Sequence, residues 1–336
     1  MKIDQLGEFG LIDRIRSTLP EPGPNVVVGI GDDVAVLEGS AESVWLATCD
    51  VQVEGAHFLR SSIPPRSLGR KALAINLSDI ASAGGIPRFA LVSLGLPPDL
   101  EVGFIDELYA GLREEGERYG VEIVGGNISK SRLGMFIDVF LLGETLRGNV
   151  VLRSGAAPGD RIMVTGSLGD AAAGVALLLD GALQVEDPYG ATARERQFLP
   201  TPRVKEGALI GALRQANAMI DVSDGLAGDL GHLCQKSGVH ARLEAERLPV
   251  RPENRALSQA VHGDQWHFAL HGGEDYELLF TAPIGRAERL AQRITAETGT
   301  PVTIIGDILP ADQPNELVLP DGKTVPFGAT GWDHFK

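Results

Sequence analysis

Aspartates recur at the ends of apolar runs in this chain of 336 residues. Asp32 and Asp33 follow VVVGIG, Asp50 follows VWLATC, Asp79 ends AINLSD, and Asp221 and Asp224 lie in MIDVSDG. Apolar strands deliver their terminal residues to one edge of a sheet, so carboxylates remote in sequence can converge there. Several within about 4–6 Å repel one another strongly unless divalent cations neutralise them. Hard oxygen ligands of this kind select Mg²⁺ or Mn²⁺, ions that also bind nucleotide phosphates. Taken singly, each acid has a structural reading: Asp33 opens a turn, Asp79 sits on an exposed helix face, Asp224 caps the helix after Gly225. Those readings weaken together. Asp79 lies amid Ala74, Ile75, Leu77, Ile80 and Ala81, which leaves little room for an exposed face and points to a buried, partnered carboxylate.

Two further features fit phosphate chemistry. In the stretch 124–129, VGGNIS, read as a loop, glycines allow backbone N–H groups to approach phosphate oxygens and Asn127 offers an oxygen; the alternative is a plain β-turn. Arg153 follows a strand-like run and could neutralise polyphosphate charge, although a lone arginine is usually solvated.

Other motifs fail on inspection. The tetrad 321–324, DGKT, ends like a phosphate loop but has Leu317 where the earlier glycine is required, and reads as a hairpin turn. Gly29 and Gly31 begin like a dinucleotide fingerprint, but Val34 takes the third glycine position and two aspartates intervene. His262, His267 and His271 match no HExxH-type zinc helix, so a surface or core role is expected.

The elements that must position these groups follow from composition and periodicity. The length suggests about two domains, and 43% hydrophobic with 22% charged residues suits a large globular core. A net charge of −15 disfavours nucleic acid as a partner. Two distant cysteines, Cys49 and Cys234, give neither a disulfide framework nor a thiolate metal site, and no run of about 18 apolar residues occurs. A cytoplasmic protein with no membrane partner is expected. Leu6, Phe9, Ile12, Ile15 and Leu19 mark an opening helix, ended by prolines. Strands are expected at 26–30, 34–37, 44–47, 89–96, 121–124 and 135–142, with helices at 67–83 and 99–119, forming a first α/β block. The second block has strands at 160–164, 277–281, 302–306 and 316–325, and helices up to 180, at 204–216, through 234 and at 286–298. The stretch before Pro200 reads as a loop.

The ordered motifs LGEFGLIDRI, GDDVAV, TCDVQVEGAHF, NLSDIASAGGIP, VGGNIS, MIDVSDGLAGDL, GGEDYELLF and GWDHF resemble the thiamine-monophosphate kinase family over residues 6–335. The resemblance implies the two-domain α/β fold shared with aminoimidazole-ribonucleotide synthetase. An N-terminal domain over 1–148 would carry the metal and ATP site and pair across a homodimer, and a C-terminal domain over 149–336 would pack on it. It implies ATP-dependent, in-line phosphorylation of thiamine monophosphate to thiamine diphosphate, with several Mg²⁺ ions and no general base. By resemblance, Asp33, Asp50, Asp79 and Asp221 hold Mg²⁺, with further oxygens from Thr48, Asn127 and Asp224. Tyr109, Gly126, Asn127, Arg153 and Ser223 match nucleotide-contacting positions, and His57, Glu274 and Trp332 match positions facing thiamine monophosphate.

Two residues depart from the family pattern: Cys49 stands where many relatives have Thr, and Asn127 where many have Asp. Both would affect metal number or affinity before activity is lost. The rivals are another ATP-using member of the same superfamily and an acidic Mg²⁺- or Ca²⁺-binding regulator without turnover; the sequence has no EF-hand spacing.

Overall fold

Two sheets follow one another along the chain in the computed structural model, which describes residues 3–183, 185 and 188–328. The first part contains α1 (Ile3–Leu6), α2 (Glu8–Thr18), β1 (Val26–Val28), β2 (Ala35–Glu38), β3 (Ser43–Val53), α3 (Pro65–Ser82), β4 (Ile86–Leu96), α4 (Val102–Tyr119), β5 (Glu122–Lys130) and β6 (Phe136–Leu146). These strands form one sheet in the order β1-β2-β3-β6-β4-β5, antiparallel except for the β4–β5 pair. The second part contains β7 (Asp160–Thr165), α5 (Asp170–Leu179), α6 (Tyr189–Phe198), α7 (Val204–Leu213), β8 (Ala218–Asp221), α8 (Leu226–Ser237), β9 (His240–Glu244), α9 (Pro252–His262) and α10 (His267–His271). It ends with β10 (Leu278–Pro283), α11 (Ile284–Thr298), β11 (Val302–Leu309), β12 (Glu316–Val318) and β13 (Thr324–Pro326). Its sheet order is β13-β12-β9-β11-β7-β10-β8.

Helix α3 is the pivot of the molecule. Pro65 occupies its first turn, where a missing N–H costs nothing, and most of its length is buried. Leu68, Leu73, Leu77 and Ile80 join Leu46, Val92 and Val139 of the first sheet in one apolar core. That core continues through Val204 and Ile210 of α7 to Met219, Leu278 and Phe280 of the second sheet. Two glycines let α4 pack at backbone distance: a Cβ on Gly69 would lie 2.0 Å from the Leu108 carbonyl oxygen, and one on Gly111 would lie 1.9 Å from that of Arg66. The second sheet has its own core on the other face, built from Ile220, Leu226, Leu230, Leu243, Leu279 and Ile305.

The stretch 124–129 is a correction to the sequence reading. It lies inside strand β5 rather than in a loop. Glycine normally weakens a strand, but here it permits a close approach: a Cβ on Gly126 would sit 1.8 Å from the Val92 carbonyl oxygen. The pairing slips between Ala90 and Leu91, so Val124 is the extra residue of a bulge. The loop expected before Pro200 contains α6, whose Tyr189 and Ala193 are buried with Leu177 and Phe268. The final strand expectation divides into β12 and β13, and the 321–324 tetrad is the turn of that hairpin, with Gly322 at φ +79°.

Candidate active site

A cleft of about 1560 Å³ separates the two parts. A single small ligand commonly occupies about 300–1,000 Å³, so this volume can seat two substrates side by side. Its floor is α3 and β3, and its opposite wall is the 221–224 and 272–276 segments with α5 and α10. Asp33, Thr48, Asp50, His57, Asp79, Arg153, Asp221, Ser223, Asp224 and Glu274 all line it.

At its centre, one carboxylate oxygen each from Asp33, Asp79 and Asp221 lies within 4.8 Å of the others. Each acid comes from a different element. Asp33 stands in the turn before β2, Asp79 near the end of α3 and Asp221 at the end of β8. Each also accepts a hydrogen bond from a hydroxyl: Ser82 Oγ at 2.8 Å from Asp33, Thr48 Oγ1 at 2.5 Å from Asp79, and Ser78 Oγ at 2.6 Å from Asp221. Among the described residues Arg153 is the guanidinium on the cluster, its Nε donating to Asp33 Oδ1 at 2.9 Å, while its backbone N–H donates to Asp32 at 3.2 Å.

These contacts do not balance the charge. Burial, followed by the charges of Asp50, Asp221 and Asp33, holds the Asp79 carboxyl well above the usual carboxylate range. Burial and Asp33 push Asp221 up to about 8, and burial and Asp33 push Asp32 to about 6. A buried acid cluster that prefers protons in this way fits a hard divalent cation, which would replace the protons and satisfy the oxygens together. Two titratable neighbours, Cys49 and His232, are held in their neutral forms. Burial pushes the Cys49 thiol up to about 12, with Asp138 adding to the effect, which leaves it protonated and a poor nucleophile. Burial and Arg153 lower His232 to about 4, so this ring is neutral.

The opposite wall is held under strain. Glu274 and Tyr276 are non-glycine residues with φ of +68° and +50°. Such conformations cost about 1–3 kcal/mol each and persist only where the surroundings impose them. Here the imposing contacts are the Glu274 and Tyr276 N–H groups, which donate to the Ser223 and Val222 carbonyls, both at 2.8 Å. Asp229, at the first turn of α8, fixes the other side by accepting from the Ser223 and Asp224 N–H groups at 3.1 Å.

Comparison with known proteins decides the family. The sequence matches the AIR synthase related protein family, its N-terminal domain over residues 31–145 and its C-terminal domain over 157–316. It is 42% identical to thiamine-monophosphate kinase of Aquifex aeolicus over the whole of both chains. It is 38% identical to that of Escherichia coli strain K12 over 98% of both. The chain belongs to the thiamine-monophosphate kinase family. Among solved structures, AaThiL complexed with AMPPCP and TMP superposes with a TM-score of 0.84 at 40% identity, covering 99% of each chain. The two AIR-synthase-type domains and the mixed α/β architecture are those of the thiamine-monophosphate kinases.

Not every residue expected at the site lines this cleft. Tyr109 on α4, and Gly126 and Asn127 on β5, are not among the lining residues; β6 and β4 stand between β5 and β3. Trp332 lies outside the described residues. His262, His267 and His271 line the cleft wall, with the first two rings stacked 3.8 Å apart. The sequence reading missed Lys71, Asn76, Ser78, Ser82 and Asp229. A signal existed for most of them, since Asn76, Ser78, Asp79 and Ser82 put polar groups into the otherwise apolar second half of the helix, residues 72–82. Asn76 Oδ1 accepts the Asp50 N–H at 3.0 Å and so sets the strand against the helix.

Proposed function

We propose that this protein transfers the terminal phosphate of ATP to thiamine monophosphate, giving ADP and thiamine diphosphate. The observation that carries the reading is the convergence of Asp33, Asp79 and Asp221 in a two-substrate cleft, in a chain aligned end to end with thiamine-monophosphate kinases. Asp33, Asp50, Asp79 and Asp221, with Thr48 and Asp224, would hold Mg²⁺ at the nucleotide phosphates. Bound Mg²⁺ would supply charge neutralisation between two anionic reactants.

The chain's own groups do the rest. Ser78, Ser82 and Thr48 orient the carboxylates through their hydroxyls, as outer partners do at metal sites. Arg153 fixes Asp33 and, with Ser223, faces the nucleotide. His57 and Glu274 face the acceptor, the His57 Nδ1 being held by the Val53 N–H at 2.9 Å. Trp332 is assigned to the acceptor by its family position alone. A phosphate monoester is already largely ionised at pH 7, its second pKa being about 6, so no general base is assigned and positioning dominates.

Tyr109, Gly126 and Asn127 are assigned to the nucleotide site of a second copy in a homodimer. The outer face of the first sheet supports that assembly. Val51, Leu91, Phe89 and Trp45 are exposed there, beside Phe140 and Leu142, in matching cross-strand rows. β5 presents an unpaired edge next to them. We place the boundary between the domains at 148/149, and the reaction in the cytoplasm, where ATP is supplied. No helix among the described residues is long and apolar enough to cross a membrane.

The test is chromatographic. Purified protein with ATP, Mg²⁺ and thiamine monophosphate should release ADP and thiamine diphosphate in equal amounts, with no product from free thiamine. ATP binding without any thiamine diphosphate would overturn the reading in favour of another acceptor or a regulator.

A further inference from the structure

Lys71 is a lysine in an unusual place. It lies in the middle of α3 and is only 1% exposed, although a charged ammonium is rarely buried without a partner or a task. Its Nζ stands 2.7 Å from Glu274 Oε1, so the pair joins the first sheet's helix to the strained 272–276 segment across the cleft. Lys71, Ile75 and Asp79 follow at four-residue intervals and all line the cleft. One helix face therefore carries a cation at one end and a cluster acid at the other, about 12 Å apart along the axis. Glu274 lines the same cleft as Asp50, Asp221 and Asp224.

An acceptor with a cationic ring and a phosphate carries the same two charges that this pair carries. We propose that Lys71 is the residue that reads the acceptor's phosphate, the Lys71–Glu274 pair opening so that its ammonium meets the phosphate while Glu274 meets the cationic ring. The inference rests on the kinase reading and deepens it. An internal ion pair is exchanged for two ion pairs with the ligand, so neither charge is left unpaired in the closed site. A ligand with the ring but no phosphate would break the pair and leave Lys71 without an anion. This is a physical reason for the site to reject free thiamine. Arg153 is already occupied by Asp33.

The experiment measures ligand binding by calorimetry without turnover, using thiamine monophosphate, thiamine and Mg²⁺–AMPPCP in turn. Wild type should bind thiamine monophosphate about 10–100-fold more tightly than thiamine, the usual value of a charged hydrogen bond. Lys71→Met should bring that ratio to within about twofold of unity while leaving Mg²⁺–AMPPCP affinity unchanged, and Lys71→Arg should restore part of the ratio. Glu274 is 24% exposed and can turn to water in Lys71→Met. Should that variant nevertheless fail to fold, Lys71→Met with Glu274→Gln removes both charges, and its ratio should also collapse. A retained ratio in a folded variant, or equal losses for acceptor and nucleotide, would overturn the inference while the wild type still made thiamine diphosphate. A wild type that neither binds nor phosphorylates thiamine monophosphate would instead overturn the kinase reading, and this inference with it.

Discussion

Two sets of buried carboxylates in this molecule have opposite fates. Glu277 is 3% exposed at its side chain, and it takes both guanidinium arms of Arg203 and the Thr165 hydroxyl at 2.6 Å. Every strong donor it needs comes from its own chain. Asp33, Asp79 and Asp221 are held as firmly, but among the described residues by three hydroxyls and one guanidinium for three acids, and Asp79 and Asp221 are pushed far upward by burial and by neighbouring acids that include Asp33 and Asp50. The first set closes a joint between β7, β10 and the start of α7. The second leaves charge unmet at the floor of a cleft. Buried acidity alone thus does not mark a site; acidity that the chain leaves uncompensated does.

The sharpest way to break this contrast is to remove one acid from the cleft. Asp79→Asn should lower turnover by roughly 10²–10⁴-fold, since a bound cation contributes several kcal/mol to such a transfer. Thermal stability should hold or rise, because a neutral amide of the same shape replaces a buried carboxyl that is costly to ionise. A large fall in melting temperature with turnover retained would erase the distinction. The reciprocal change, Arg203→Met, strands Glu277 and should cost about 3–5 kcal/mol in denaturant unfolding, with turnover per folded molecule within about twofold of wild type.

Ser78→Ala tests the layer behind the acids. Loss of the hydroxyl that orients Asp221 should weaken Mg²⁺ affinity or activity by about 10–100-fold, read from the Mg²⁺ dependence of rate. The smallest effect is in pH. Asp221 has a folded value near 8 against about 3.9 unfolded, so its protonation favours the fold: that contribution is present in acid and lost as pH rises through 8. Metal-free protein should therefore melt lower at pH 9 than at pH 6. Mg²⁺ should raise the melting temperature more at the higher pH, by a few degrees, given about 2–4 °C per kcal/mol. An equal shift at both would remove the acids from the metal's binding site.

Much of this was legible in the residues because apolar runs and the acids that end them are local patterns. The periodicity around Asp79 marks both a buried helix and a buried carboxylate, and the cleft acids are those that end the apolar runs. What escaped was set by contacts between distant segments. Ser78 meets Asp221 across 143 positions, and nothing near either residue announces it. Gly126 reads as a loop residue because single-residue propensity cannot see that the Val92 backbone of β4 leaves no room for a Cβ there. Tyr109 and Asn127, expected at the nucleotide by resemblance, do not line the cleft, because the strand order puts β6 and β4 between β5 and β3, a placement no local pattern announces.

The most direct test is to count divalent ions at the cluster. Mn²⁺ binding to the wild type, followed by electron paramagnetic resonance with AMPPCP present, should reveal sites that Mg²⁺ displaces and that Asp79→Asn and Asp221→Asn each weaken by at least about tenfold. Undiminished Mn²⁺ binding in both variants would contradict the assignment of the cluster as the metal centre.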